Sequence, residues 1–450
     1  MINLLDIDLK IYYNFNIQIQ KQIKKGNKMQ KETIAVHGGY NKKEGYGTMS
    51  VPIAQTTAYA FRDAEHAANL FALKELGPIY TRLNNPTTDV LEQRLAQLEG
   101  GAGALCVASG QSAIFYAIAN VAEAGDNIII SDKLYGGAVT LLTHTIKRFG
   151  ITAKIFKSED ASDLEALVDE NTKAIFFESL SNPQIAIADV EAIVDVAKRN
   201  GILTICDNTV ASAALFNPIE WGVDVVVHST SKYTNGQGTA IGGVIIERDG
   251  LSEFFKENSK RYYHFTEPDA SYHGLVYTDI PLPNFTLRAR LALLRDIGAA
   301  QSPHNSWLLL QTVETLALRV DKHSDNALEI AKFLESNPKV KSVNYPGLES
   351  NTEYSKAQKY FKGGKASGLI SFEVESYDAA KAVIDSAKLF SVVVNIGDSK
   401  SLIVHPASTT HSQMNEEELA GAGINPTTVR LSIGLENPAD LIEDLTQALS

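Results

Sequence analysis

The chain has 450 residues, 44% apolar and 21% charged, ordinary values for a soluble globular protein with room for two or three domains. Its net charge of −12 argues against a nucleic-acid or anionic-membrane surface, and no apolar run is long enough to span a bilayer. The two cysteines, Cys106 and Cys206, lie in the apolar runs GALCVA and ILTICD. They read as small buried hydrophobes of a reducing, cytoplasmic compartment.

Residues 1–28 are rich in Asn, Ile, Lys and Gln and lack the parts of a secretory signal. More regular sequence opens at Met29, so a start at Met29 and a poorly ordered or mis-started extension over 1–28 are expected. From about residue 100, short apolar runs alternate with longer amphipathic stretches. The strand candidates are GALCVA, NIIIS, TAKIF, KAIFFE, ILTICD, VDVVVHS and GGVIIE. Strands apolar nearly throughout, interleaved with helices, predict an α/β domain over residues 91–285 with a mostly parallel sheet covered on both faces.

A Ser302–Pro303 helix start then predicts one long helix reaching Leu334 and bridging two domains. The strand candidates SGLISFEVE, SLIVHP and TVRLSIGLE follow. Residues 286–450 therefore read as the bridging helix and a smaller α+β domain.

Ligands of open α/β sheets bind beyond the carboxyl ends of the strands. GALCVA is followed by Ser109-Gly110-Gln111, NIIIS by a loop containing Tyr135, and KAIFFE by Glu178 and Ser181-Asn182-Pro183. ILTIC ends in Asp207, and VDVVVH in Ser229-Thr230-Ser231-Lys232. Backbone N–H groups of Gly110 and Gln111 at a helix N-terminus suit a phosphate, and the Ser229 and Ser231 hydroxyls add donors. Buried Asp207 needs a cation, which a protonated pyridine nitrogen supplies. Tyr135 offers a stacking face, and Lys232 an amine for a Schiff base. That set matches the needs of pyridoxal 5'-phosphate. Singly, the same residues read as a solvated loop lysine, a helix N-cap and a turn. Their joint occurrence at successive strand ends favours the cofactor.

These motifs resemble the cystathionine γ-synthase-like (Cys/Met metabolism) family of fold-type I pyridoxal phosphate enzymes. The likeness runs from Glu32 to the C-terminus and includes YTRLNNPT, VASGQSA, DKLYGG, FESLSNP, CDNTVAS, HSTSKYTNGQG, SLIVHPASTTH and VRLSIGLEN. It implies the aspartate-aminotransferase-like fold, with a seven-stranded sheet in the large domain. Within the family, TEPDASYHGL and NIGDSKSLIVHPASTTHSQ are similar to the O-acetylhomoserine sulfhydrylase branch.

By that resemblance, an arm over residues 29–90 carries Tyr80 and Arg82 into a neighbouring subunit's cofactor phosphate site. This implies a dimer of site-sharing dimers. Arg430 is similar to the arginine that holds the substrate α-carboxylate, Asn182 would contact the cofactor's phenolic oxygen, and Asn395 lies in the loop over the substrate. Ser231 stands for a frequent threonine, Gln111 for a frequent methionine, and Asn395 for the serine of several lyases. Gly137 replaces a cysteine of methionine γ-lyases, which argues against that activity.

The implied reaction joins O-acetyl-L-homoserine and sulfide to give homocysteine and acetate, a transsulfuration-type step of methionine biosynthesis. Cysteine as nucleophile, giving cystathionine, is the nearest alternative, with a γ-lyase behind it. A Rossmann-type oxidoreductase lacks its GxGxxG after the first strand. The spacing of His405 and His411 fits no standard metal site, so none is expected.

Overall fold

Residues Thr172–Glu178 are buried without exception, as befits a strand covered on both faces. They form the fourth of seven strands in the larger sheet. In chain order these are β1 (Gly103–Val107), β2 (Asn127–Ser131), β3 (Thr152–Phe156), β4 (Thr172–Glu178), β5 (Leu203–Asp207), β6 (Val225–Ser229) and β7 (Gly243–Glu247). All seven coincide with the predicted runs. The computed structural model describes residues 29–43, 47–409 and 425–450, so the expectation for residues 1–28 and the position of His411 lie outside them.

The sheet order is β1-β7-β6-β5-β4-β2-β3. Strand β7 runs antiparallel to β1 and β6, and the remaining pairs are parallel. Successive side chains point to opposite faces and so feed two cores. Ile129, Ile175, Phe177, Cys206 and Val226 enter one, and Ile130, Phe176, Ile205 and Val227 the other. Both cysteines are buried free thiols.

The helices beside the site have well-made starts. Asn85 accepts the Thr87 N–H (3.0 Å) ahead of α1 (Pro86–Glu99), and Pro86 takes the first position, where its missing N–H costs nothing. Gly100 ends α1 at φ 77°, a conformation that other residues adopt at a cost. Ser109 accepts the Ser112 N–H (3.1 Å) to cap α2 (Gly110–Ala119), which packs on β6 and β7.

The single long helix expected from Pro303 is instead two, α3 (Pro303–Val313) and α4 (Leu316–Ser336). The interruption at Glu314–Thr315 has a visible cause. Arg319 reaches back across it, donating to the carbonyls of Thr312 (2.9 Å), Tyr233 (2.7 Å) and Thr234 (3.1 Å). Its guanidinium thus satisfies a carbonyl at the end of α3 and ties the joint to the turn after Lys232. Apolar periodicity carries no sign of such a side-chain insertion.

A second sheet follows, with strands β8 (Ser342–Asn344), β9 (Leu369–Glu373), β10 (Ser391–Val392), β11 (Leu402–Val404) and β12 (Thr428–Ser432) in the order β10-β11-β12-β9-β8. Only the β10–β11 pair is parallel. Val429, Leu431 and Ile433 pack with Ile330, Leu334, Leu441 and Leu445 in a third core. Arg430 and Ser432 alternate onto the opposite face, as predicted. No helix among the described residues is long and apolar enough to cross a membrane.

Candidate active site

The carboxyl ends of β4, β5 and β6 and the N-terminus of α2 meet at one edge of the large sheet. The approach there is close: a Cβ on Gly110 would lie 2.6 Å from Ser229 Cβ, and one on Gly243 would lie 2.1 Å from the Ser109 carbonyl oxygen. Only glycine lets the helix start seat against β6 and β7. The unpaired N–H groups of the first turn of α2 therefore lie beside the Ser229 side chain.

Lys232 follows β6. Its Nζ donates to Asn395 Oδ1 (2.6 Å), a residue of the small-sheet side. Burial, with Arg430 nearby, holds the Lys232 amine below the usual lysine range. Arg430 is itself buried, and its guanidinium donates to Asn182 Oδ1 (2.9 Å) and to the Asn395 carbonyl (3.2 Å). Its Nε is buried with no hydrogen-bond partner among the described residues, and burial pushes the group down to about 10. A buried guanidinium held only by neutral amide oxygens is arranged for an incoming carboxylate.

Two carboxyl groups stand side by side at the strand ends, since Glu178 and Asp207 are register partners. Burial raises both, and the neighbouring Asp207 pushes Glu178 up further. Asp207 has the stronger support for its charge. It accepts from the Thr209 N–H (2.9 Å) and hydroxyl, with His228 close by. Glu178 accepts the backbone N–H groups of Tyr135 (2.6 Å) and Asn182 (3.3 Å). Asp207 is thus the member placed to carry a negative charge toward a cationic ligand atom.

An amine of lowered basicity, a supported carboxylate, an exposed aromatic ring and a helix start thus ring one edge. The donor set fits pyridoxal phosphate: an amine for its aldehyde, an acid for its ring nitrogen and N–H and hydroxyl donors for its phosphate. A family model described as Cys/Met metabolism PLP-dependent enzyme matches residues 32–450. The chain belongs to that family.

The relatives extend the likeness over nearly the whole length. An O-acetyl-L-homoserine sulfhydrylase of Leptospira meyeri is 46% identical over 93% of this chain and 96% of its own. A homocysteine synthase of Schizosaccharomyces pombe is 42% identical over 93% and 97%. Among solved structures, an O-acetylhomoserine (thiol)-lyase from Campylobacter jejuni, containing N'-pyridoxyl-lysine-5'-monophosphate, superposes with a TM-score of 0.92. It is 56% identical and covers 94% of this chain and 100% of its own.

The family's cofactor gives the remaining predicted positions a context. Tyr135 is 45% exposed, and a Cβ on Gly137 would lie 2.6 Å from its ring, so glycine there leaves the ring its place. Gln111 lies next to it, donating to the Gly137 carbonyl (2.9 Å). The Ser231 hydroxyl is turned to the Gly242 backbone, accepting its N–H at 3.0 Å. Tyr80 is 42% exposed, with the Arg82 guanidinium 5.5 Å from its ring centre.

His405 Nε2 bonds to the Pro426 carbonyl (2.7 Å), and among the described residues no cluster of three metal-ligating side chains occurs. In the sequence Glu178 stands only as a strand-end neighbour of the candidate residues. The signal for Glu178 was an acid closing the apolar run AIFF, with a second acid, Asp207, closing the next strand in the chain.

Proposed function

We propose that this chain catalyses γ-replacement on O-acetyl-L-homoserine with sulfide, releasing L-homocysteine and acetate in methionine biosynthesis. The observation that carries the reading is the line of contacts Lys232–Asn395–Arg430–Asn182, half-buried at the lysine and buried at the arginine, in which a weakened base lies near a guanidinium lacking a carboxylate. Sulfhydrylase names on relatives matched over nearly their full length favour this reaction over other chemistry in the family. The enzyme is read as cytoplasmic. It is also read as a homotetramer built from site-sharing dimers, in which the arm over 29–90 serves a neighbouring large domain (91–285) and 286–450 closes the substrate side.

In this reading Ser109, Gly110, Gln111, Ser229 and Ser231 hold the cofactor phosphate, with Tyr80 and Arg82 of the neighbouring subunit's arm adding a hydroxyl and a bidentate clamp. Ser231 reaches that role only by releasing Gly242. Asp207 would keep the ring nitrogen protonated, Tyr135 would offer the ring a stacking face, and Asn182 would serve the phenolic oxygen. Bound in this way, the cofactor supplies an electron sink that makes the substrate Cα and Cβ hydrogens acidic.

Arg430 receives the α-carboxylate and fixes the Cα hydrogen toward Lys232. Lys232, kept partly neutral by burial and by Arg430, takes that proton. Asn395 orients the free amine. A second proton leaves Cβ, the Cγ–O bond breaks to release acetate, and sulfide forms the Cγ–S bond. Lys232 and Tyr135 return protons to carbon.

The test is purified Lys232→Ala beside the wild type. The substitution should remove the visible absorbance of lysine-bound cofactor and lower turnover by on the order of 10⁴-fold. Retention of both would overturn the reading. Mass identification of the wild-type product with sulfide or with cysteine decides the thiol, and cystathionine as the faster product would move the assignment to the synthase.

A further inference from the structure

Glu178 has no part in the steps above, yet its surroundings are unusual. It is 6% exposed at the end of β4, and among the described residues no lysine, arginine or histidine bonds to it. A buried carboxyl without a cation is costly, and an apolar residue would close the strand more cheaply. Its two oxygens are both used. Oε1 accepts the Tyr135 N–H (2.6 Å) and Oε2 the Asn182 N–H (3.3 Å). These N–H groups belong to different loops, one after β2 and one after β4.

The contacts continue beyond Asn182. Its Oδ1 accepts from Arg430, Arg430 donates to the Asn395 carbonyl, and Asn395 Oδ1 accepts from Lys232. An unbroken line of polar contacts therefore runs from the Tyr135 backbone through Glu178 to the small sheet and back to the lysine. Glu178 is the point where the aromatic side and the arginine side of the site are joined.

The geometry points to Glu178 as a positioning residue that fixes the Tyr135 ring and the Asn182–Arg430 pair relative to each other from behind the site. This rests on the cofactor and substrate reading above. The inference concerns how well the ring and the substrate carboxylate are held, and Glu178 itself touches neither.

The experiment compares wild-type holoenzyme with Glu178→Gln. Glutamine keeps the size and one acceptor oxygen but turns an NH₂ toward the second backbone N–H, so one of the two loops is released. The induced visible circular dichroism of the bound cofactor should lose amplitude. KM for O-acetyl-L-homoserine should rise about tenfold or more, with a smaller fall in kcat and a melting temperature close to wild type.

Unchanged circular dichroism and unchanged KM would overturn the inference. So would activity lost only in proportion to unfolded protein, the pattern of a merely structural acid. If Glu178→Gln does not fold, Glu178→Asp, which keeps the acid but shortens its reach, is read by the same two outcomes. Absence of O-acetyl-L-homoserine turnover in the wild type would sink the proposed reaction. The dichroism comparison would still decide the role of Glu178.

Discussion

Half-buried Arg290 and buried Arg430 show how differently one chain treats the same charge. Arg290 donates to Glu92 Oε2 (2.6 Å) and to the Leu83 carbonyl (2.6 Å), with Asp89 close by. Burial pulls its guanidinium down, but the two acids outweigh it and the net shift is upward. Arg430 meets only amide oxygens, and burial carries it down to about 10. A cation neutralised by its own chain is structural. One surrounded by neutral dipoles keeps its attraction for an external anion.

That contrast breaks first at Arg290. Arg290→Met leaves the buried Glu92 and the neighbouring Asp89 without their cation and should cost about 3 kcal/mol of stability, measured by denaturant unfolding. Activity per folded molecule should hold. Arg430→Met should do the reverse. Stability should stay level or rise, while kcat/KM for the amino-acid substrate falls about 10²–10³-fold, chiefly through KM. Equal losses of stability in the two variants would erase the distinction.

His323 sharpens the comparison, as a buried base whose Nδ1 bonds to the Ile433 carbonyl (2.6 Å) and whose ring meets Tyr233 edge-on. Burial lowers it to about 4. Its folded value lies below its unfolded one, so the unfolded chain binds more protons between roughly pH 6.5 and 4. Stability is therefore complete above that window and falls as pH drops through it, by on the order of 3 kcal/mol for this group. Asn at position 323 keeps a donor for Ile433 without titrating. His323→Asn should flatten the acid limb of a stability-versus-pH curve.

Much of this was legible before any coordinates. Six of the seven strands of the large sheet are buried over most of their length, as covering helix layers on both faces demand, the edge strand β3 being the exception, and each run occurs where it was expected. Strands β8 and β10 went unseen because three and two residues are too few to show a period. The interruption between α3 and α4 escaped because its cause, Arg319, acts through carbonyls of residues 233 and 234, far away in sequence.

At the site, the strand-end rule pointed to Lys232, Asp207 and Ser229, which follow or close β5 and β6 at one edge of the sheet. It could not see that the Ser231 hydroxyl turns to Gly242, since a rotamer leaves no trace in residue type. Nor could it see what Glu178 holds, since its contacts are backbone N–H groups that every residue but proline carries alike.

Arg319 carries a wider implication. The turn after Lys232 is fastened to the joint between two helices some eighty residues later in the chain, and a Cβ on Gly236 would fall 1.9 Å from Arg319 Nη1. The two pieces form one cooperative unit of local unfolding, so neither can breathe without loosening the other. The lysine is thereby insured against local fraying by a segment that never approaches the substrate.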